Sequence, residues 1–587
     1  MADALNITDL SDYSDTDILS CDVLVIGSGP AGLTIAQGLE GSELDVLIVE
    51  SGGLVETSQA ESLNKVTAAS TTWSEEQVRR RIDYHAAQAK FWDHDRQEYG
   101  VRCRAIGGST AAWAGKSAAF DQIDFTNRDW VPNSGWPIGL DDLTDALDRA
   151  AASLNLNVNC YDDRLWEFLK RRPPKPCPNP TVLGSFFWQF ARSRINPMDV
   201  MRVGEEFVNA PPRDCRIITG TTVTELVTDE TGNTITGALA ASVSDTRHTI
   251  KASTVVLAAS AIENARILLN SRKHHPKGLG NEHDVVGRFL MDHPGSVVAK
   301  FEGPAIAKMV QLFGFYGLKT NAGTNMYMRG LAPTKEVQEA EGLLNCAAFM
   351  PGERAPDDPW DAAKRILKRR SENYGSDCIA ILKSPGLVVR GLGRLALQNP
   401  RFPNWLSQFI VNQVVRFRPN MAVEEFLTGG VPHKLTGLSV QIVCEQTPDP
   451  ENRITLSDRK DRFGVPYPEA RWQVGDMEMR TISRFAEIIH QQFSKDQLPP
   501  PVLEEWVREA DFEKAAIIDM AHTAGTTRMS SDPTQGVVDQ NCKVHNVEGL
   551  YVAGASVFPT SGHANPTLMI VALAFRLAEH LQGRSKV

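Results

Sequence analysis

The chain has 587 residues, of which 42% are hydrophobic and 23% charged, and a formal net charge of −11. Because one hydrophobic core stops growing at roughly 250 to 300 residues, we expect at least two joined domains. The acidic balance argues against a nucleic-acid-binding protein, since a duplex binder needs a basic face. The composition is otherwise that of an ordinary globular protein.

Neither the cysteines nor the N-terminal residues indicate export or metal binding. The nine cysteines are odd in number, scattered and never arranged as C-x-x-C, so we predict neither a disulfide framework nor a metal site. The N-terminal residues are acidic, whereas a secretory signal begins with basic ones. No run of roughly 18 apolar residues occurs, which argues against a transmembrane segment. We therefore expect a cytoplasmic protein.

The first predicted element is a buried strand that runs into a glycine-rich turn. Val23–Ile26 is a continuous apolar run, and Gly27, Gly29 and Gly32 follow as G-x-G-x-x-G before a helical stretch. In a dinucleotide site the first glycine permits the tight turn, the second lets backbone approach the pyrophosphate, and the third lets helix pack on strand. A tight strand-to-helix connection is the plainer alternative.

A second apolar run, Val46–Val49, follows the helix and ends at Glu50. A carboxylate at this position can accept hydrogen bonds from both ribose hydroxyls and would repel a 2′-phosphate. Strand, fingerprint, helix, strand and acid therefore occur in the order that a dinucleotide site requires. The unit predicts binding of FAD or NAD and not of NADP.

Later segments predict that the same domain resumes further along the chain. The alternating stretch after residue 214 predicts a hairpin with its turn at Gly232-Asn233. Val255–Ala258 is another buried strand, and a helix begins near Ala261. Near the C-terminus, Leu550–Ala553 predicts a short buried strand and Pro566–Leu581 an apolar helix. The dinucleotide domain is thus predicted to be discontinuous in sequence.

With these motifs the chain resembles the glucose-methanol-choline (GMC) flavoprotein oxidoreductases. The resemblance is carried by the N-terminal fingerprint, GGSTAAW, VVLAASAIENARILL, VVGRFLMDHPG, PENRITLSDRKDRFGVP, HTAGTTRM and LYVAGASVFPTSGHANPTLM. The details are most similar to the branch that acts on sugars and glycosides, which includes pyranose oxidases and the glucoside 3-dehydrogenases and C-glycoside oxidases. The one long stretch without a motif of the family runs from about residue 301 to residue 440.

The resemblance implies an α/β fold in which a Rossmann-like FAD-binding domain joins a substrate domain built on a mostly antiparallel β-sheet. We predict that residues 1–130, 205–297 and 515–587 form the FAD-binding domain. Residues 131–204 and 298–514 are predicted to form the substrate domain, with an insertion at about 355–420. The implied reaction oxidises a secondary hydroxyl of a pyranose sugar or glycoside, at the 2- or 3-position. Hydride passes from the substrate carbon to flavin N5, and the reduced flavin then gives its electrons to O2 or another acceptor.

The same resemblance implies a set of residues that contact FAD. Small residues in the loop from Gly107 to Thr110 let backbone lie against a flat or charged group. Val223 lies where family members contact adenine through backbone, although it is equally a plain strand valine. The predicted FAD-binding residues are Gly27, Ser28, Gly29, Ala31, Gly32, Glu50, Gly107, Gly108, Ser109, Thr110, Trp113, Val223, Gly554, Ala555, Pro566 and Thr567.

Two departures from the family concern the flavin itself. Fungal pyranose oxidases carry a covalent flavin link on the histidine just before the tryptophan of this loop, and Ala112 stands there, so we predict non-covalent FAD. Ala114 replaces the threonine that follows the tryptophan and contacts flavin N5 in that group. Oxidase and dehydrogenase activity therefore both stay open.

His522 is the predicted catalytic base, because an imidazole has a pKa suited to removing a hydroxyl proton. The alternative is a core histidine bonded to a backbone carbonyl. Alignment with the family brings Asn565 to the second catalytic position, where it would hold the alcohol oxygen. Asn565 can instead cap the helix that begins at Pro566, in which case His563 is the rival.

Weaker interpretations concern three further residues. Glu445 or Gln446 is expected to present a polar side chain to substrate, because one of two adjacent strand residues faces inward. An exposed sheet edge is the alternative. His293 is interpreted as structural, turning the chain before Pro294.

A basic, apolar insertion lies where the family motifs are missing. Residues 361–418 contain eleven Lys or Arg and three Asp or Glu, interleaved with apolar runs. This pattern is compatible with a membrane surface, a partner protein or a homo-oligomer contact. The default expectation is a helical insertion that packs its apolar face on its own domain.

Overall fold

The structure is a computed structural model. It describes residues 6–14, 17–69, 71, 73–86, 88–196, 198–213, 215–367, 369, 371, 373–397, 402–420 and 434–585. None of the helices in these ranges is both long enough and apolar enough to span a membrane.

Strands and helices are numbered separately in chain order. The strands are β1 Asn6–Asp9, β2 Leu19–Ile26, β3 Val46–Val49, β4 Thr67–Ala68, β5 Lys116–Ser117, β6 Leu183–Phe190, β7 Cys215–Thr219, β8 Thr222–Thr228, β9 Ile235–Ala241, β10 Arg247–Leu257, β11 Gly295–Phe301, β12 Phe315–Thr320, β13 Gly323–Pro333, β14 Cys346–Phe349, β15 Gly352–Arg354, β16 Leu435–Cys444, β17 Arg453–Lys460, β18 Pro466–Arg471, β19 Val502–Leu503 and β20 Leu550–Val552. The helices are α1 Pro30–Gly38, α2 Ser58–Glu61, α3 Glu75–Arg81, α4 Gln122–Phe125, α5 Thr144–Ser153, α6 Leu165–Phe168, α7 Val203–Asn209, α8 Ala261–Asn270, α9 Ala305–Phe313, α10 Lys335–Glu341, α11 Pro359–Leu367, α12 Tyr374–Lys383, α13 Pro385–Leu397, α14 Asn404–Phe417, α15 Asp476–Lys495, α16 Glu505–Arg508 and α17 Thr567–Ser585.

The first sheet combines strands from both ends of the chain. Its order is β1-β7-β3-β2-β10-β9-β8, and β20 pairs with β10. Strands β1, β7, β3, β2, β10 and β20 run parallel, while β8 and β9 form an antiparallel hairpin. Helices α1 and α17 pack closely at Gly38, where an added methyl group would lie only 2.5 Å from Ala578 Cβ. The carboxyl end of β2 leads into the glycine turn, and the carboxyl end of β3 leads to Glu50. Ligands of parallel sheets bind at this edge.

The second sheet is antiparallel and has the order β19-β11-β16-β14-β13-β6-β5, with β12 beside β13 and β15 beside β16. Helix α15 covers it with a stripe of buried apolar residues at helical spacing, namely Ile482, Phe485, Ile489 and Phe493. The expected fold class, a Rossmann-like domain joined to an antiparallel sheet, is confirmed. Strand β5 belongs to this sheet although it falls within the segment 1–130, and the domain boundaries stay a prediction.

Several predicted elements occur where the local pattern placed them. The apolar run Val46–Val49 is β3, and α8 begins at Ala261. The hairpin around Gly232-Asn233 is formed by β8 and β9. Helix α17 begins at Thr567 and ends at Ser585, later than predicted. These elements were predictable because their signals, apolar periodicity and glycine turns, are local in sequence.

The insertion forms α11 to α14, and it meets the default expectation only in part. Val411 and Val415 of α14 are buried, and a methyl group added at Gly317 of β12 would lie 2.1 Å from the Val415 carbonyl oxygen. Arg365 of α11 forms an ion pair with Asp377 of α12, 2.6 Å apart. Other large apolar side chains of these helices face solvent, which the expectation of a packed apolar face did not foresee.

Candidate active site

A cavity of about 330 Å³ that opens to solvent is lined by residues of both sheets and both chain ends. Gly27 and Gly29 reach it from the turn after β2, and Lys116 reaches it from β5. His522 and Asn565, the two predicted catalytic residues, line the same cavity. The fold thus brings the predicted cofactor turn and the predicted catalytic pair to one place.

The glycine-rich turn has no room for a side chain at Gly27 or at Gly32. Gly27 adopts φ 104°, and a methyl group added there would lie 2.6 Å from the Ala258 carbonyl oxygen. A methyl group at Gly32 would lie 2.0 Å from the Gly27 carbonyl oxygen. Gly29 caps α1, and Pro30 is its first residue, so that the positive end of the helix dipole faces the cavity. This is the geometry that a pyrophosphate needs.

Glu50 is held in the cavity wall by local donors. One carboxylate oxygen accepts hydrogen bonds from the Ser28 amide at 3.1 Å and the Ser28 hydroxyl at 2.7 Å. The other accepts one from the Gly52 amide at 2.8 Å. Ser28 does not line the cavity itself, so it supports Glu50 instead of facing a ligand. The carboxylate is thereby fixed at the end of β3, where a ribose would lie.

Most of the predicted FAD-binding residues line the cavity. These are Gly27, Gly29, Ala31, Glu50, Gly108, Ser109, Thr110, Trp113, Val223, Gly554, Ala555, Pro566 and Thr567. Gly32 and Gly107, like Ser28, lie behind it, and Gly107 allows α7 to approach, since an added methyl group would lie 2.5 Å from the Gly204 nitrogen. The buried Ser260 hydroxyl lines the cavity without a hydrogen-bond partner among the described residues. The glycine cradle, the fixed carboxylate and this unpaired donor fit FAD.

His522 and Asn565 are adjacent although 43 positions separate them in sequence. The Asn565 side-chain nitrogen lies 3.2 Å from His522 Nε2. The hydrogen bond of this amide therefore goes to the histidine, at the mouth of α17. His563 lies apart from this pair. Its ring packs edge-on against Phe186, with 4.4 Å between ring centroids, and it does not line the cavity.

A chain of hydrogen bonds fixes which nitrogen of His522 carries the proton. His293 Nε2 lies 3.2 Å from the Ser561 carbonyl oxygen, to which it must donate. Burial lowers the pKa of His293 to about 3, so the ring is neutral and its Nδ1 carries no proton. This Nδ1 therefore accepts a hydrogen bond from the Nδ1–H group of His522, with 2.9 Å between the two nitrogens. Assigned from these partners, neutral His522 carries no proton on Nε2, and the lone pair of that atom accepts a hydrogen bond from the Asn565 amide. That atom is the one beside Asn565.

The electrostatics around His522 keep it neutral. Burial is the main cause that holds the pKa of His522 well below its ordinary value, and His293 and Lys116 act in the same direction. The His522 amide donates to the Asp292 carboxylate at 3.0 Å. Burial, together with the neighbouring Asp519, raises the pKa of Asp292 to about 8. At pH 7 His522 is therefore an unprotonated imidazole, the form that a general base requires.

Lys116 is a cavity residue that the sequence analysis missed. Its ammonium nitrogen lies 4.0 Å from the ring centroid of Trp188 and 3.7 Å from that of Phe349. No carboxylate among the described residues forms an ion pair with it. Burial lowers the pKa of Lys116 to about 7. The only sequence signal was its position three residues after Trp113, which does not reveal the two aromatic neighbours.

The structure does not bring Glu445 and Gln446 to the cavity. Glu445 is fully buried and accepts a hydrogen bond from Arg128 at 2.9 Å. The Gln446 side-chain oxygen accepts one from Trp472 at 2.7 Å. Both side chains satisfy buried polar groups, and neither lines this cavity. His293, interpreted as structural, instead contacts the predicted base.

A buried charge cluster on the cavity wall was also missed. Arg102 and Arg104 both pair with Glu263, Arg104 at 3.1 Å. Burial alone would raise the pKa of Glu263. The guanidinium groups of Arg266, Arg104 and Arg102 outweigh burial and lower this pKa to about 2. Pairing between such distant positions leaves no periodic signal in the sequence. All four residues line the cavity.

Comparison with known proteins identifies the family. The GMC oxidoreductase models match residues 204–295 and 448–574, and an FAD-binding-domain model matches residues 22–136. The chain belongs to the GMC oxidoreductase family. Its FAD-binding domain makes this GMC oxidoreductase a flavoprotein. The expected family and cofactor are thus confirmed.

Its relatives are distant in sequence. The fructose dehydrogenase large subunit of Gluconobacter japonicus is 25% identical, over 57% of this chain and 47% of its own length. The chain thus covers about half of that relative. The 2-methyl-1,2-propanediol dehydrogenase of Mycolicibacterium austroafricanum is 24% identical over 96% of this chain and 95% of its own. C-glycoside 3-oxidase of Microbacterium trichothecenolyticum is 29% identical over 26% of this chain and 28% of its own.

A solved structure has the same fold. Pyridoxine 4-oxidase from Mesorbium loti aligns with a TM-score of 0.51 and 15% identity, over 95% of this GMC oxidoreductase and 99% of that chain. At this identity the likeness concerns the fold alone.

Proposed function

We propose that this GMC oxidoreductase oxidises a secondary hydroxyl of a pyranose sugar or glycoside, at the 2- or 3-position, to a ketone. The observation that carries the proposal is the convergence of His522 Nε2 and the Asn565 amide, 3.2 Å apart, in the cavity that the dinucleotide turn also lines. A base and a donor in contact are what the oxidation of an alcohol needs.

Bound FAD would supply the hydride acceptor. His522 Nε2, which carries a lone pair in the tautomer fixed by His293, takes the hydroxyl proton of the substrate. For this step the substrate hydroxyl displaces the Asn565 amide from His522 Nε2, and the amide then donates to the substrate oxygen as negative charge develops on it. Both groups are partly buried, which limits competing water and strengthens each hydrogen bond relative to solvent. The two residues therefore act on one oxygen atom from neighbouring positions.

The cavity wall near His522 supports a polyhydroxylated substrate. Tyr84, His85, Gln88 and Lys116 all line it and carry hydrogen-bonding groups. Sites that hydrogen-bond substrate hydroxyls discriminate strongly against analogues that lack them. Two of the relatives are named for a sugar or a glycoside, which agrees with this wall. Pyranoses and glycosides are thus the substrate class that the side chains favour.

A non-sugar alcohol is the second candidate. It is favoured by the diol dehydrogenase, because that relative matches nearly the whole chain, whereas the C-glycoside 3-oxidase matches about a quarter. A small diol would leave most of the polar cavity wall unpaired. For this reason we rank it below a sugar.

Anaerobic mixing of the flavin-loaded enzyme with a panel of pyranoses, glycosides, diols and aromatic alcohols tests the substrate class. We expect loss of the oxidised-flavin absorbance near ~450 nm with sugars or glycosides and not with simple diols. Bleaching by diols alone would overturn the sugar proposal. Protein that carries no flavin absorbance at all would indicate a nucleotide-binding protein without this activity. Admitting air then distinguishes oxidase from dehydrogenase by the rate at which absorbance returns.

We further propose that FAD is held without a covalent bond. Ala112 lines the cavity and offers no nucleophile. Precipitation of the enzyme with trichloroacetic acid should therefore release all of the flavin into the supernatant. A coloured pellet would point to a covalent link elsewhere, and His85 and Cys103 are the cavity residues to replace first.

A further inference from the structure

Helices α11 to α14 expose large apolar side chains that no other part of the described chain covers. Nine such residues are more than a third exposed, namely Leu367, Tyr374, Ile379, Leu382, Val389, Leu392, Trp405, Phe409 and Phe417. Leu382 is 77% exposed and Trp405 71%. Single exposed apolar residues need no explanation, but a concentration of them within one segment marks an interaction site.

These side chains follow the period of the helices that carry them. On α12, Ile379 and Leu382 are exposed, while Ala380 is buried. On α13, Val389 and Leu392 are exposed, while Gly391 meets Trp360, whose ring would lie 2.0 Å from an added methyl group. Each helix therefore has one face that packs inward and another, apolar face that points to solvent.

Helix α14 repeats the arrangement next to the second sheet. Val411 and Val415 are buried, whereas Trp405, Phe409 and Phe417 are 71%, 56% and 62% exposed. The inward face, with Val411 and Val415, packs this helix against β12. Burial in the fold therefore does not account for the three aromatic residues on its outer face.

The charge of the segment is opposite to that of the rest of the chain. Residues 361–418 contain eleven basic and three acidic residues, which leaves 50 basic and 69 acidic residues elsewhere. Lys383 is exposed beside Leu382, and Arg416 and Arg418 are exposed on either side of Phe417. The Arg416 guanidinium lies 4.9 Å from the centroid of the Phe417 ring. Cationic and apolar side chains are thus neighbours both on α12 and at the end of α14.

We propose that the outer faces of α12, α13 and α14 dock on the surface of an anionic lipid bilayer. Trp405, Phe409 and Leu382 would enter the boundary between headgroups and acyl chains, as the apolar faces of in-plane amphipathic helices do. Lys383, Arg416 and Arg418 would lie at the level of the anionic headgroups, where each cation adds to the attraction.

A second copy of the chain fits these faces less well. Symmetric pairing would bring the same basic segment of both copies together, and like charges at a contact oppose association. An anionic bilayer offers an apolar layer beneath a layer of negative charge, which matches both properties of the surface. The membrane is therefore the occupant that the charges favour.

Flotation of the flavin-loaded enzyme with lipid vesicles tests the proposal. One vesicle contains phosphatidylcholine alone, and the other contains phosphatidylcholine with 30% phosphatidylglycerol. We expect binding to the anionic vesicles and not to the neutral ones, with binding weakened by added salt. The double variants Leu382→Glu/Leu392→Glu and Trp405→Glu/Phe409→Glu should each lower the partition by about tenfold or more. Leu54→Glu/Val55→Glu, at exposed apolar positions elsewhere, is the matched control and should bind like the parent.

Charge reversal separates the electrostatic part of binding. Lys383→Glu/Arg416→Glu should lower binding to anionic vesicles by roughly tenfold, while Lys335→Glu, on α10, should leave it unchanged. Failure of the unaltered enzyme to float with anionic vesicles would overturn the proposal. A concentration-dependent dimer that Trp405→Glu/Phe409→Glu dissociates would assign the surface to a second copy instead.

Discussion

The cavity around His522 and the outer faces of α12 to α14 differ in what covers their side chains. In the cavity, His522, His293 and Asn565 are linked by hydrogen bonds of 2.9 and 3.2 Å, and burial shifts the pKa values of the two histidines. On the helices, aromatic residues and arginines lie exposed side by side. The proposed chemistry in the cavity depends on the exact positions of a few atoms. The proposed binding by the outer helical faces depends on the composition of many residues. Substitutions should therefore have large, specific effects in the first region and small, additive ones in the second.

Replacement of His522 should have the largest effect. His522→Ala removes the proton acceptor, so the rate of flavin reduction should fall by roughly 10²-fold or more while FAD stays bound. Anaerobic stopped-flow absorbance measures that rate. His545→Ala is the control, because His545 bonds to the Ser530 carbonyl oxygen outside the cavity. An unchanged rate in His522→Ala would remove this residue from the proposed role.

His293→Leu tests whether His293 sets the tautomer of His522 and should have the next largest effect. The leucine offers no acceptor, so it no longer fixes the proton on His522 Nδ1. We expect a loss of roughly tenfold in the reduction rate with little change in KM, since positioning and not substrate contact is altered. A merely structural role would instead lower Tm and leave the rate per folded, flavin-loaded enzyme unchanged.

Lys116 should control the pH dependence. As pH rises through about 7, where burial places the pKa of Lys116, the ammonium loses its charge and no longer opposes protonation of His522. The reduction rate should therefore rise across that range. Lys116→Met should keep the higher rate at all pH values, and Lys116→Arg, which stays charged, the lower rate. A step near pH 7 that persists in both variants contradicts this assignment.

The outer helical faces should contribute least to folding. Leu382→Glu and Phe409→Glu alter exposed positions, so each should change the free energy of unfolding by no more than about 0.5 kcal/mol. Val411→Glu buries a carboxylate on the inward face of the same α14, and it should destabilise by several times that amount. Thermal unfolding of the three variants measures the difference. Equal losses at Phe409 and Val411 would mean that the outer face is packed.

The local patterns of the sequence determined the parts of the protein that short-range physics controls. The spacing of Gly27, Gly29 and Gly32 predicted the dinucleotide turn, because a tight turn and a close helix leave no alternative to glycine. The apolar run Val46–Val49 predicted β3, since a strand buried on both faces must be apolar throughout. Resemblance to the family then supplied FAD and the pair His522 and Asn565 as candidates.

Only the tertiary structure decided which distant side chains meet. Glu445 and Gln446 look like site residues in sequence, yet Glu445 pairs with Arg128 and Gln446 with Trp472, away from the cavity. Lys116 gave only a weak signal, yet it packs against Trp188 and Phe349 and lines the same cavity as the predicted base. Such contacts join residues with no periodic relation in the chain, and the assembly of distant segments into one sheet creates them, since Lys116, Trp188 and Phe349 all belong to strands of the second sheet. The physical reason is that burial, which sets both pKa and partner, is a property of the folded chain and not of its local pattern.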